Sequence, residues 1–179
     1  MILVYGGAAS GKSEYAENLT MRLGARQLYI AAMRPVGGQA LARMEKHRKM
    51  RAGKAFDTVE VYTNADTASL RAGYDAALLE CVSNLLANEM FPANGTKNAD
   101  KSNAAALVLQ TVDQIAALYE NAVIVSNDVF AGGADYSDEV LEYMRYLGQI
   151  NAAIARRAGA VAEIVCGLPI VHKNAGGVI

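Results

Sequence analysis

Long apolar runs are missing from this chain. No stretch approaches the roughly 20 consecutive apolar residues that span a bilayer, so no transmembrane helix is expected. An excess of charge of one sign is missing too. The 179 residues carry 17 basic against 18 acidic side chains, a net charge of −1. That balance argues against a dedicated nucleic-acid binder and leaves open only a local basic patch. Cysteine is scarce: Cys81 and Cys166 stand far apart and in no metal-ligand spacing. The plain reading is a cytoplasmic protein with two reduced thiols and no cysteine-built metal site. Met1-Ile2-Leu3-Val4-Tyr5 has no basic stretch, and Gly6-Gly7 interrupts its apolar run, so no secretory leader is expected.

What is present is globular. Hydrophobic residues make up 53% and charged residues 20%, enough for a substantial core in one domain over residues 1–179. Short apolar runs alternate with longer amphipathic stretches, as in a parallel sheet flanked by helices. Strands are expected at Ile2–Tyr5, Gln27–Ala32, Thr58–Tyr62, Asp75–Glu80, Ala122–Ser126 and Ala160–Cys166, with Ile170-Val171 as further strand material. Helices are expected at Lys12–Leu23, Ala40–Arg51, Asp66–Ala72, Val82–Met90, Ala104–Glu120, and from an N-cap at Ser137 to about Gly159. On the last, Leu141, Met144 and Leu147 recur every three residues, with Ile154 a full heptad after Leu147. Residues 91–102 read as a surface loop. The fold class is therefore α/β, three layers with a mainly parallel central sheet.

The most specific signal is Gly6-Gly7-Ala8-Ala9-Ser10-Gly11-Lys12-Ser13, which fits G-x-x-x-x-G-K-[ST] in full. A hydrophobic strand precedes it and an amphipathic helix follows, so the expected α/β fold is a three-layer P-loop NTPase fold with a mainly parallel central sheet. Glycines let backbone N–H groups wrap a phosphate without a Cβ in the way. The helix N-terminus adds free donors and a favourable dipole. Lys12 can reach the β- and γ-phosphates, and the Ser13 hydroxyl can ligate Mg²⁺. A plain glycine turn would explain Gly6 and Gly7 but not Lys-Ser after Gly11. A second acidic group is expected near the metal. Glu80, closing DAALLE, and Asp128, after AVIVSN, are the candidates, with Glu80 preferred.

Residues 43–54, RMEKHRKMRAGK, set six basic side chains against one glutamate. Arg43, His47 and Arg51 are spaced i, i+4, i+8, which places them on one helical face. Such a face suits a polyphosphate, and a neutral imidazole is a competent nucleophile toward phosphorus. From the residue types alone, a solvated helix face with an incidental histidine is the preferred reading. His172, the other histidine, lies in the stretch PIVHK and is assigned no catalytic role.

A P-loop at residue 6, the strand LYIAA, R-x-x-x-H-x-x-x-R, T-x-E and LLE-C-x-x-x-L follow one another in order. This combination resembles the bifunctional adenosylcobinamide kinase / adenosylcobinamide-phosphate guanylyltransferases of cobalamin biosynthesis. The resemblance is strongest over residues 1–90 and returns in IVSNDV, RYLGQIN and AEIVCGLPIVHK. It implies phosphorylation of the aminopropanol hydroxyl of adenosylcobinamide by ATP or GTP with Mg²⁺. It further implies transfer of GMP from GTP through a guanylylated histidine, which by position is His47. It places Ile30, Ala31, Ala32, Arg48, Lys49, Met50, Arg51, Glu60 and Glu80 at the guanine nucleotide, Gly6 to Ser13 at phosphate, and Ser13 with Glu80 at the metal. A homotrimer is also implied. Ser126-Asn127-Asp128-Val129 stands where the family commonly has T-N-E-V, a shorter carboxylate. A monofunctional small-molecule P-loop kinase is the alternative. A GTPase-type switch is disfavoured, since N-K-x-D is absent and Asn127-Asp128 lacks the lysine.

Overall fold

A computed structural model describes residues 1–35, 38, 42, 45, 53–92, 101–130, 132 and 135–179. Among these, strands run over β1 (Ile2–Gly6), β2 (Gln27–Ala31), β3 (Phe56–Glu60), β4 (Ala76–Glu80), β5 (Asn121–Asn127), β6 (Ala160–Val165) and β7 (Leu168–Asn174). Helices are α1 (Lys12–Arg22), α2 (Val82–Met90), α3 (Ala104–Leu118) and α4 (Asp138–Arg157). The strands form one sheet in the order β3-β2-β4-β5-β1-β6-β7. Every pairing is parallel except β6 with β7.

The apolar runs make the central strands because they are covered on both faces. Along β1, Leu3 packs into the core beneath α2, α3 and α4, whereas Ile2 and Val4 pack beneath α1 with Ala16 and Leu19. That is the two-residue period of a strand sorting its side chains between two layers. β4, sequence AALLE, is buried throughout. The three-layer α/β expectation therefore holds, with helices on both faces of a mainly parallel sheet.

Most elements fall where the sequence places them. The strand expected at Thr58–Tyr62 forms two residues earlier, so that Ala31 pairs with Glu60. The helix expected at Asp66–Ala72 is a 3-10 helix over Asn64–Ser69, opened by Thr63 and Asp66 in a reciprocal capping box. Ser137 takes the N-cap position of α4 without a side-chain capping bond. Of the residues recurring along this helix, Leu147 and Ile154 are buried, Met144 is half-buried and Leu141 is half exposed; Ile150 is buried with the first two. Cys166 leaves the strand. It forms with Gly167 a tight turn in which both residues have positive φ, 50° and 81°, matching the twist of a two-residue hairpin loop. The helix expected over residues 40–51 lies outside the described residues but for Ala42 and Glu45, both helical and exposed. Residues 93–100 and Gly133 also lie outside them.

This order puts β1 inside the sheet, between β5 and β6, and its carboxyl end opens onto the edge where α/β proteins bind ligands. β2, β4 and β5 deliver their own carboxyl ends to the same edge.

Candidate functional site

β1 ends at Gly6, and α1 starts at Lys12. Between them the backbone folds into a tight loop. Ser10 N–H donates to Gly7 O at 3.3 Å, and Gly11, at the helix N-cap, has φ of 91°. Two of the glycines are sterically required. A Cβ on Gly6 would stand 2.5 Å from Ile164 O and 2.8 Å from Ser10 Oγ. A Cβ on Gly11 would meet the Gly167 Cα at 3.1 Å, besides having to accept a left-handed conformation. The β6–β7 turn is the wall behind both: Gly167 N–H donates to Ser10 O at 2.8 Å. On the other side, Asp128 N–H donates to Gly6 O at 2.9 Å. The loop is thus stitched to both strands that flank β1. Gly7 has nothing within 4 Å of its Cβ position, leaving open space at that end of the loop.

The side chains of the loop suit an anion. Lys12 is 9% exposed, and its Nζ donates to Gly7 O at 3.0 Å, which bends the ammonium back over the loop. The Ser10 hydroxyl is buried with no hydrogen-bond partner among the described residues. A buried polar group in that state is costly unless something binds it, and a phosphate oxygen would be such an acceptor. The N-terminus of α1 adds its unpaired donors and positive dipole end.

Glu80 stands at the carboxyl end of β4, 6% exposed, and accepts a 2.6 Å hydrogen bond from Ser13 Oγ on Oε1. Two hard oxygen donors, a hydroxyl and a carboxylate, therefore meet beside the lysine. This is the donor set that Mg²⁺ takes together with water and phosphate, so the residues present fit that ion. Asp128 is turned elsewhere: its Oδ1 accepts from Phe130 N–H at 3.0 Å within its own loop. Of the two candidate acids, Glu80 is the one that touches Ser13.

Behind Glu80 lies a polar network that the sequence did not single out. Asn127 Nδ2 donates to Ser83 Oγ at 2.5 Å, and Ser83 Oγ lies 2.9 Å from Cys81 Sγ. Tyr143 OH donates to Ser83 O at 3.1 Å, and Asn151 Nδ2 donates to Asn127 O at 3.2 Å. This ties the ends of β4 and β5 to α2 and α4. Burial, then the Glu80 charge, pushes the Cys81 thiol up, so Cys81 stays a protonated packing residue and not a nucleophile. Burial likewise pushes Tyr143 up to about 12. An asparagine ending an apolar strand was the only sequence signal for this network.

The ends of β2 and β3 form the neighbouring part of the edge. Ile30 and Ala32 are fully buried, Ile30 within the core beneath α2 and α3. Ala32 N–H donates to Glu80 O at 2.9 Å, and Asn88 Nδ2 donates to Ala32 O at 2.8 Å. Ala31 is half-buried and Glu60 exposed at the adjacent register position. Tyr62 is raised to about 12 by burial, then by its hydrogen bond to Glu60 and the charge there. The Arg34 guanidinium lies over the Tyr62 ring at 5.9 Å, a second cation beside the site that the sequence reading passed over. His47, Arg48, Lys49, Met50 and Arg51 lie outside the described residues.

A glycine-lined loop between β1 and α1, a folded-back lysine, and a serine–glutamate pair at the sheet edge define a P-loop nucleotide-binding α/β protein. The family described as cobinamide kinase / cobinamide phosphate guanyltransferase matches residues 2–171. The chain belongs to that family. It is 31% identical over 183 residues to the bifunctional adenosylcobalamin biosynthesis protein CobU of Salmonella typhimurium, covering 97% of this chain and 99% of that protein. The same identity and coverage hold for the CobU protein of Escherichia coli. The bifunctional adenosylcobalamin biosynthesis protein CobP of Pseudomonas aeruginosa is 29% identical over 175 residues, 96% of either chain.

Proposed function

We propose that this chain is a bifunctional enzyme of cobalamin biosynthesis. It phosphorylates adenosylcobinamide with ATP or GTP and then transfers GMP from GTP to the new phosphate, giving adenosylcobinamide-GDP. The observation that carries the reading is the Lys12–Ser13–Glu80 constellation in a chain that belongs, over residues 2–171, to the cobinamide kinase / guanyltransferase family. Full-length similarity to relatives named as bifunctional supports this over the monofunctional kinase.

In the kinase step, the backbone of Gly6 to Ser13 holds the triphosphate and Lys12 neutralises charge on its β- and γ-oxygens. The substrate hydroxyl then attacks the γ-phosphorus in line and gives up its proton, while the bond from that phosphorus to the β–γ bridging oxygen breaks and the nucleoside diphosphate leaves. Ser13 and Glu80 would hold Mg²⁺, which supplies further charge neutralisation at the phosphates. In the transfer step, the His47 imidazole attacks the α-phosphorus of GTP. An N–P bond forms, the bond to pyrophosphate breaks, and pyrophosphate leaves. A phosphate oxygen of adenosylcobinamide phosphate then attacks the same phosphorus and displaces the imidazole, which is ordinary covalent catalysis. Arg48, Lys49 and Arg51 stabilise charge on the α-phosphate. Ile30 to Ala32, Met50, Glu60 and Glu80 complete the guanine nucleotide site.

We place the enzyme in the cytoplasm as a homotrimer. The free thiols Cys81 and Cys166 suit a reducing compartment. No described helix is long and apolar enough to cross a membrane. The exposed apolar side chains Leu168, Ile170 and Val171 on the edge strand β7 offer surface for self-association. Incubating the purified protein with adenosylcobinamide, GTP and Mg²⁺, and following products by mass spectrometry, tests the function. The phosphate should appear first and the GDP derivative after it. Accumulation of the phosphate alone would leave the monofunctional kinase.

A further inference from the structure

Glu17 is an acidic residue in the middle of α1 with no surface at all, 0% exposed. Carboxylates are almost never buried in this way unless paired. Its partner is Lys54, whose Nζ lies 2.6 Å from Oε2 and whose side chain is 22% exposed. The other oxygen, Oε1, is buried and has no hydrogen-bond partner among the described residues. The charge of Glu17 is therefore held by Lys54, the one cation paired with it among those residues.

The positions of the two residues in the chain give the pair its meaning. Glu17 follows Ser13 by four residues on α1, so it lies one helical turn behind the hydroxyl that contacts Glu80. Lys54 follows Arg51, the end of the R-x-x-x-H-x-x-x-R segment, by three residues. It stands at the point where the chain enters β3: Gly53 turns with φ of 92°, Phe56 N–H donates to Lys54 O at 2.9 Å, and Phe56 packs edge-on to Tyr29 at 6.2 Å. The ion pair thus fastens the exit of the basic segment onto the helix that begins in the phosphate loop.

We propose that Glu17 and Lys54 are positioning residues for guanylyl transfer. The pair anchors Lys54, where the chain leaves the basic segment, to the phosphate-loop helix, and it takes no part in the kinase step. Neither side chain touches the reacting atoms. The inference rests on the proposed bifunctional reading, because only that reading gives the segment a reaction to perform. A histidine that must attack phosphorus in line is sensitive to its mounting, since a displacement of about 1 Å costs on the order of 100-fold in rate.

The test uses the full chain and reads two rates separately: formation of acid-labile, alkali-stable label from GTP labelled in its α-phosphate, and phosphorylation of adenosylcobinamide. Lys54→Met strands a buried carboxylate, so the double variant Glu17→Gln/Lys54→Met is made beside it, with a cooperative melt to show that it folds. Lys54→Arg is the conservative rescue. The expected result is labelling slowed by about 10- to 100-fold in the double variant, kinase kcat within about twofold of wild type, and labelling largely restored in Lys54→Arg. A folded double variant that labels at the wild-type rate overturns the inference, as does a parallel fall of both rates, which reduces the pair to a brace for the fold. Absence of label on the wild type is a different outcome. It removes the guanylyl-transfer reading and this inference with it.

Discussion

Gly6→Ala is the substitution whose consequence the structure defines most sharply. The added methyl would sit 2.5 Å from Ile164 O and 2.8 Å from Ser10 Oγ. The serine can rotate, but the carbonyl belongs to β6, which is paired with β1 through Ile2 to Tyr5 and cannot give way locally. The end of one strand must move away from the other, an overpacking strain of about 1–3 kcal/mol. For a chain of this size each kcal/mol moves the midpoint by about 2–4 °C, so Tm should fall by about 2–12 °C. The same movement displaces Ser10, which accepts from Gly167 N–H, and with it the loop that holds phosphate, so nucleotide KM should rise as well. Gly7→Ala is the internal control. Nothing lies within 4 Å of its Cβ position, so its stability should stay within about 0.5 kcal/mol of wild type. Differential scanning fluorimetry and kinase assays on the two variants compare the effects directly. A Gly6→Ala protein that melts with the wild type and keeps its KM would refute the steric argument.

Two other substitutions test the surroundings. Glu80→Gln keeps an acceptor for Ser13 Oγ but removes the charge, so the apparent affinity for Mg²⁺ should weaken by about 10- to 100-fold with little change in Tm; equal Mg²⁺ dependence in variant and wild type would exclude Glu80 from the metal site. Asp75 is held below its ordinary 3.8 chiefly by the backbone N–H of Arg26, then by that of Ala25. The ionised carboxylate therefore favours the folded chain above that value, and the benefit is lost as pH falls through the lowered pKa. Asp75→Ala should lower the denaturant midpoint at neutral pH, and the gap to wild type should narrow as pH falls through the lowered pKa; a gap that stays constant as pH falls would contradict the assignment.

How much of this was legible beforehand depended on how local each feature is. The phosphate loop is contiguous, and its Gly-Lys-Ser spacing carries its own geometry, so Gly6 to Ser13 could be read directly. Glu80 was legible only as an acid closing a buried strand. Its contact with Ser13 spans 67 residues of sequence and depends on β4 lying one strand away from β1. Glu17 was not legible at all. A glutamate inside an amphipathic helix normally faces water, and its pairing with Lys54 spans 37 residues of sequence. The antiparallel β7 was read merely as strand material, because direction is decided by the Cys166-Gly167 turn and not by the apolar pattern of Leu168 to Val171. Leu141 shows the limit of periodicity: it shares the three-residue spacing of Met144 and Leu147, but it stands in the first turn of α4, where no neighbouring element covers it among the described residues.

The central claim is that His47 carries GMP. Purified protein and a His47→Ala variant are incubated with Mg²⁺ and GTP radiolabelled in its α-phosphate, denatured, and tested for acid-labile, alkali-stable label. The account predicts label on the wild type and none on the variant, with both still transferring the γ-phosphate to adenosylcobinamide. Label persisting on His47→Ala, or wild type that stays unlabelled while its kinase step runs, would contradict it.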